Sequence, residues 1–418
     1  MTSRTAARFS GIRRSATFAV LERVHALRAE GVDVLDLGGG EPDFDTPGHV
    51  VEAATRALDE GRTHYAPSRG LPELLAAVAE KLERDNGIVV RPDRDIIVTP
   101  SAKHALFISL LALLDPGDEV LVPTPSWVSY ASMARLVGAV PVSVPLDAAD
   151  GFRLTREVLE RYVTPRTKVL LLNTPNNPTG RVLSPEEART VSAFVRDHDL
   201  LVVADEIYEK IVYGGARHLS LASLPGCADR TLTVNGFSKA HAMTGWRLGY
   251  LCGPTDLVGE VLKAQQHSVG CAGTFVQYGG LAALTGPQDE VAAMTREYAA
   301  RRELVVSGLN RLPGVRCALP EGSFYVFPDI RGTGFATSAE FAAWLLDEAR
   351  VAVTPGSAFG PGGEGHVRLS FATSRAVIDE AVHRTGDALA RRSPGFAGAV
   401  PGPPEPAARL TPQCFGEI

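Results

Sequence analysis

"KVLLLNTPNNPTG", Lys168 to Gly180, carries an unbroken apolar run from Val169 to Leu172 and then turns on asparagine, proline and glycine. A strand with one face in water alternates polar and apolar side chains, so an unbroken apolar run bounded by turn residues marks a strand covered on both faces. The same pattern recurs outward in "DIIVTP", "EVLVPTP", "LLVVADE", "TLTVNGF" and "LGYLCG", with helical patterns between the runs. Covered strands that alternate with helices predict an α/β domain with a mainly parallel sheet, over residues 51–314. The flanks differ. One helix near Ala16 to Glu30 and the turn "DLGGGEPDFDTP" precede that domain, in residues 1–50. After it, residues 315–392 hold "GVRCALPEGSFYVFPDI", a helix near Ala339 to Ala349, "VAVTPGSAFG" and "HVRLSFATS". Together the two ends predict a smaller α+β unit. From Ser393 to Ile418 the chain is rich in Pro, Ala and Gly, aperiodic, and expected to be disordered.

Composition narrows the function classes. The chain has 418 residues, 45% hydrophobic and 22% charged, which suits a large core and more than one domain. Its net charge of −6 and the absence of a basic run argue against nucleic acid as a partner. The longest apolar run, Ala105 to Leu114, is too short to cross a bilayer, and the basic start is not followed by a signal-peptide core. Five scattered cysteines form neither a CxxC pair nor a zinc-like cluster, so a cytoplasmic location with reduced thiols and no bound metal is expected.

In parallel sheets ligands sit at the carboxyl ends of the strands, and polar residues cluster at those ends here: Ser101 with Lys103, Asn176 with Asn177, Asp205, and Lys239. Taken singly, each cluster reads as a turn or helix cap. Lys239, in "TVNGFSKAHAMTGWRLGY", becomes a nucleophile if burial and a neighbouring cation lower its pKa, and Arg247 on the same loop is such a cation or a phosphate clamp. Asp205 ends an apolar run, where an unpaired carboxylate is costly, so it either caps a helix over "EIYEKIVY" or faces a cation on a ligand ring. On that helix Tyr208 shares its face. "TPSAKHALF" runs from strand to helix and offers free amides with the Ser101 hydroxyl to a phosphate. Trp127 packs in the core or stacks on a flat heterocycle. Arg368, inside the apolar "VRLSFATS", needs a carboxylate, from a salt bridge or from a substrate.

In order along the chain, "GGEPDFDTP", "THYAPSRGLPELLAAVAEK", "LLDPGDEVLVPTPSWVSY", "NTPNNPTG", "VADEIYEKIVY", "TVNGFSKAHAMTGWRLGY" and "VRLSFATS" resemble the fold type I pyridoxal-phosphate enzymes. Specifically, residues 10 to 390 resemble class I aminotransferases of the bacterial aspartate aminotransferase branch. The resemblance implies a seven-stranded, mainly parallel sheet and pyridoxal 5'-phosphate attached to Lys239. Asp205 then faces the ring nitrogen, Tyr208 and Asn177 the ring hydroxyl oxygen, and Trp127 the ring face. Ser101, Ala102, Lys103 and Arg247 surround the phosphate, and Tyr65 reaches it from the other subunit of a homodimer. Gly40 and Arg368 match the groups that take the substrate α-carboxylate. Ser15, Thr17 and Lys103 stand where the branch accepts a distal carboxylate, which implies aspartate or glutamate as donor to a 2-keto acid.

Two departures from that branch stand out: Ser101-Ala102 replaces its usual "GG" or "SG", and "VGCAGTF", Val269 to Phe275, replaces a Ser/Thr- and Pro-containing stretch. The second motivates an alternative, a specialised enzyme performing β- or γ-replacement, decarboxylation or carbon–carbon bond formation with the same cofactor. A cofactor-free binding protein on the same fold is the third reading, and intact Lys239, Asp205 and Arg368 speak against it.

Overall fold

The computed structural model describes residues 4–9, 11–12 and 16–392. The first strand, Leu35–Asp36 (β1), belongs to the smaller unit and pairs in parallel with Val351–Ala352. The large sheet then collects Ile96–Thr99 (β2), Glu119–Thr124 (β3), Val140–Pro145 (β4), Thr167–Asn173 (β5), Leu201–Asp205 (β6), Thr231–Gly236 (β7) and Gly249–Cys252 (β8). Their order is β2-β8-β7-β6-β5-β3-β4, and every strand runs parallel to the rest except β8, which is antiparallel to both neighbours. The sheet is thus seven-stranded and mostly parallel, as the resemblance implies.

Side-chain alternation explains why the strands are apolar throughout. Val169 and Leu171 of β5 point into one core with the helix Ala102–Leu113, while Leu170 and Leu172 point into another with Val191, Phe194 and Val195 of the helix Pro185–Asp197. Each leucine fully buried this way contributes about 1.5–3 kcal/mol. The second helix starts where its sequence requires, with a Ser184–Glu187 capping box and Pro185 at its first turn.

The chain ends meet in the smaller unit. Tyr325–Val326 (β9), Val351–Ala352 (β10), Thr354–Pro355 (β11) and Val367–Ser370 (β12) form its strands, with β11-β12-β9 an antiparallel sheet. The helix Ser338–Ala349 falls where the spacing predicts it, and Ala16–Ala29 is the helix before β1. The long helix Asp289–Leu309 joins the two units and packs on Arg375–Arg392. One local expectation fails: "EIYEKIVY" after Asp205 forms successive turns, not a helix, because Glu206 and Glu209 turn inward to a buried cluster with Lys81, Asn86, His218 and Ser220. Ser393–Ile418 lies outside the described residues.

Candidate active site

At the carboxyl ends of the parallel strands a cavity of about 460 Å³ opens between the two units. Ser101, Ala102, Lys103 and Trp127 line it, as do Asn177, Asp205 and Tyr208, then Lys239 and Arg247, and finally Gly40 and Arg368 from the smaller unit. These are sequence-expected residues from seven segments. Ser15 lies outside the described residues, and Thr17 falls in the first turn of the helix Ala16–Ala29. Tyr65 is 94% exposed and does not line the cavity of its own chain.

Asp205 closes β6 and is buried. Its Oδ2 accepts from the Tyr130 hydroxyl at 2.7 Å and its Oδ1 from the Ile207 N–H at 3.2 Å, yet among the described residues no cationic side chain forms an ion pair with it. Burial therefore dominates and raises the carboxyl to about 6. The Asn173 side chain ties the neighbouring strand ends together, donating to the Asp205 carbonyl at 3.0 Å and accepting from the Asn177 N–H at 2.8 Å. Lys239 follows β7, and its Nζ donates to the Gly40 carbonyl. Burial lowers this amine to about 8; Glu41 opposes the shift, and Arg368 and Arg247 add to it.

Arg368, on β12, is only 2% exposed and has no carboxylate partner among the described residues. Its Nη1 donates to Asn177 Oδ1 at 3.1 Å, its Nη2 to the Gly38 carbonyl at 2.5 Å, and its Nε is left without an acceptor. The guanidinium lies over the rings of Tyr325, at 4.5 Å, and Phe359, at 5.1 Å. Among the described residues no salt bridge makes it structural.

The opposite end of the cavity is shaped for an anion. The helix Ala102–Leu113 begins there, capped by Ser101, whose hydroxyl accepts from the His104 N–H at 3.2 Å. Its amino end presents the positive pole of the helix dipole. Ser101 holds φ at +116° and Arg247 at +54°, a backbone region L side chains rarely adopt and which concentrates at ligand sites. Lys103 sits between the rings of Phe18, 5.4 Å away, and Trp127, 5.0 Å away, and burial lowers its amine. The segment Val269 to Phe275 does not line this cavity; Thr274 Oγ1 donates to the His64 carbonyl at 2.5 Å, beside Tyr65.

A ring-shaped ligand with a primary carbonyl, a cationic nitrogen and a phosphate fits these groups: an amine lowered by burial, a buried carboxylate without a counter-ion, and a helix amino end beside Arg247. The sequence profile of the family described as aminotransferase class I and II matches residues 32–384. The chain belongs to the class I and II aminotransferases. This aminotransferase is 51% identical over 375 residues to the aspartate aminotransferase of Musicola paradisiaca, covering 90% of this chain and 94% of that one. It is also 45% identical to aromatic-amino-acid aminotransferase 2 of Thermococcus litoralis, covering 85% and 92% respectively. Its fold superposes on the Thermus thermophilus aspartate aminotransferase solved with maleate at a TM-score of 0.88 and 43% identity, covering 93% of this chain and 100% of that structure. The chain is thus an aminotransferase enzyme, and these relatives do not favour replacement, decarboxylation or carbon–carbon bond formation.

Among the lining residues that sequence reasoning missed are Tyr130 and Tyr325. Tyr130 stood inside the quoted "PTPSWVSY", but only the contact with Asp205 reveals its role. Tyr325 stood in "EGSFYVFPDI", in β9, far in sequence from its partner Tyr208.

Proposed function

We propose that this aminotransferase binds pyridoxal 5'-phosphate on Lys239 and moves the amino group of aspartate or glutamate to a 2-keto acid by a ping-pong mechanism. The observation that carries the reading is a pair of unmet charges in one cavity: Asp205 without a cation and Arg368 without an anion. A ligand set with a protonated ring nitrogen and an α-carboxylate answers both. When bound, the cofactor supplies a carbonyl for the amine and a ring that accepts the electrons of the broken Cα–H bond.

The chain's own groups do the rest. Arg368 grips the α-carboxylate bidentately and fixes which bond faces the ring. Asp205 holds a positive charge at the ring nitrogen, and that charge draws its carboxyl back toward the ionised form. Tyr208 and Asn177 donate to the ring oxygen, Trp127 covers a ring face, and the amides of Ala102 and Lys103 with Ser101 and Arg247 hold the phosphate. Lys239, lowered to about 8, is partly neutral near physiological pH, and as the free amine it takes the Cα proton and returns it. The Gly40 carbonyl aims that amine.

Lys103, with Ser15 and Thr17, accepts the distal carboxylate; relatives named aspartate aminotransferases support the choice. A second reading, an aromatic substrate, rests on Phe18 and Trp127 flanking Lys103, and on the Thermococcus litoralis relative's name. Residues 51–314 form the cofactor domain, with 1–50 and 315–392 the smaller unit. Tyr65, exposed in its own chain, completes the phosphate site of a second copy in a homodimer. The free thiols Cys227, Cys252, Cys271 and Cys317 suit the cytoplasm.

The test mixes cofactor-loaded protein with a panel of amino acids and no keto acid, with products identified by mass spectrometry. Stoichiometric keto acid with pyridoxamine phosphate is expected, fastest for aspartate or glutamate. A protein that yields neither product from any amino acid overturns the reading, and preference for phenylalanine or tyrosine selects the aromatic alternative.

A further inference from the structure

Tyr325 is fully buried and belongs to no role assigned so far. Strand register explains its position. Ser370 of β12 is the cross-strand partner of Tyr325, and Arg368 stands two residues earlier on β12, so all three side chains share one face of the sheet. Arg368 thus comes to lie over the Tyr325 ring, at 4.5 Å from its centre. The hydroxyl at the far end of that ring meets the Tyr208 hydroxyl at 2.9 Å, across from the smaller unit to the turn that follows β6. Gly40 makes room for that hydroxyl, since a Cβ there would lie 2.5 Å from the Tyr325 oxygen.

The hydroxyl pair can share its hydrogens in two ways, and they are not equivalent for the site. If Tyr208 donates to Tyr325, Tyr208 has no hydrogen left for the cavity. If Tyr325 donates to Tyr208, the Tyr208 hydrogen points to a ligand oxygen, and the donated bond polarises and strengthens it. We propose that Tyr325 is a positioning residue with two arms: its hydroxyl sets Tyr208 as a donor to the cofactor ring, and its ring face seats the Arg368 guanidinium for the substrate carboxylate. The proposal rests on the cofactor reading given above. It makes the smaller unit a contributor to proton placement at the ring, so that docking of β9 completes both halves of the site together.

Two substitutions separate the arms. Tyr325→Phe keeps the ring under Arg368 and removes only the hydroxyl; Tyr325→Leu removes both. In the cofactor-loaded protein, Tyr325→Phe should lower kcat by about two- to tenfold, the loss of one hydrogen bond. It should also raise the pH midpoint of the bound cofactor's visible absorbance, because a weaker Tyr208 donor favours the ring anion less. Its affinity for maleate, used as a non-reacting carboxylate probe, should stay within about twofold. Tyr325→Leu should in addition weaken maleate by roughly tenfold or more, since a desolvated cation–π contact is lost. A double-mutant cycle supplies the decisive readout: in a Tyr208→Phe background, Tyr325→Phe should no longer move either kcat or the midpoint. An unchanged midpoint in Tyr325→Phe, or an effect that persists undiminished in the Tyr208→Phe background, overturns the proposal alone. A wild-type protein that shows no cofactor absorbance overturns the cofactor reading and this proposal with it.

Discussion

The Tyr130 hydroxyl lies 2.7 Å from Asp205 Oδ2, and both groups are buried. With the Ile207 N–H on the other oxygen, this bond offsets part of the cost of holding a carboxylate in an apolar setting. Tyr130→Phe keeps the ring and its edge contact with Trp127 but removes that donor. Asp205 should then hold a proton to higher pH and grip a cationic ring nitrogen less well. A loss of roughly three- to tenfold in kcat and a weaker cofactor are expected, read by steady-state kinetics and by titration of the cofactor-free protein.

Asp205 also makes stability depend on pH. Burial holds the carboxyl at about 6, against an unfolded value near 4. Between these values the folded chain keeps a proton that the unfolded chain has lost. Stability of the cofactor-free protein therefore falls as pH rises through this window, and the cost stays constant above it. Asp205→Asn removes that cost while abolishing the charge the ring nitrogen needs. The cofactor-free variant should be more stable than the wild type at pH 7.5, on the order of 2 kcal/mol, and equal to it near pH 4. Thermal unfolding at both values checks this, and activity should be lost together with the gain.

Lys239 shifts in the opposite sense. A free lysine loses its proton near 10.4, whereas burial places this amine at about 8. Its reaction with an acylating or carbonyl reagent in the cofactor-free protein should rise with a midpoint near pH 8, followed by mass spectrometry of the peptide that carries Lys239. A midpoint above pH 10 for that peptide would sink the claim that the amine is activated before the cofactor arrives.

Gly40 is needed for space and not for backbone freedom. A Cβ added there would approach the Tyr325 oxygen to 2.5 Å, and Tyr325 is buried and cannot swing away. Gly40→Ala should cost about 1–3 kcal/mol of stability, as overpacking does, and should disturb the carbonyl that holds Lys239. Tyr325→Phe in the same chain removes the clashing oxygen, so the double variant should recover most of the lost thermal midpoint while remaining slow.

The α/β class was legible because burial on two faces writes itself into local sequence: Val169, Leu170, Leu171 and Leu172 alternate between two separate cores, and nothing polar is tolerated in the run. Strand ends were legible for a related reason. A parallel strand stops where the chain turns, and the polar residues at those turns, Asn177, Asp205 and Lys239, stand at one edge of the sheet whatever the helices do. The helix expected over "EIYEKIVY" was misread, since its spacing of apolar residues suits a helix while Glu206 and Glu209 are pulled into a cluster whose other members lie in distant segments.

What the sequence determined by itself, then, was the sheet, its edge and the residue types gathered there, because those follow from short-range alternation and turn chemistry. Whether Arg368 was a structural ion pair or a group awaiting a ligand was open until the fold left it buried without a carboxylate. The pairing of Tyr130 with Asp205, and of Tyr208 with Tyr325 across 117 residues, also belonged to the tertiary structure alone. Hydrogen bonds and desolvation act over a few ångströms in space, and no periodicity along the chain records which distant segments come that close.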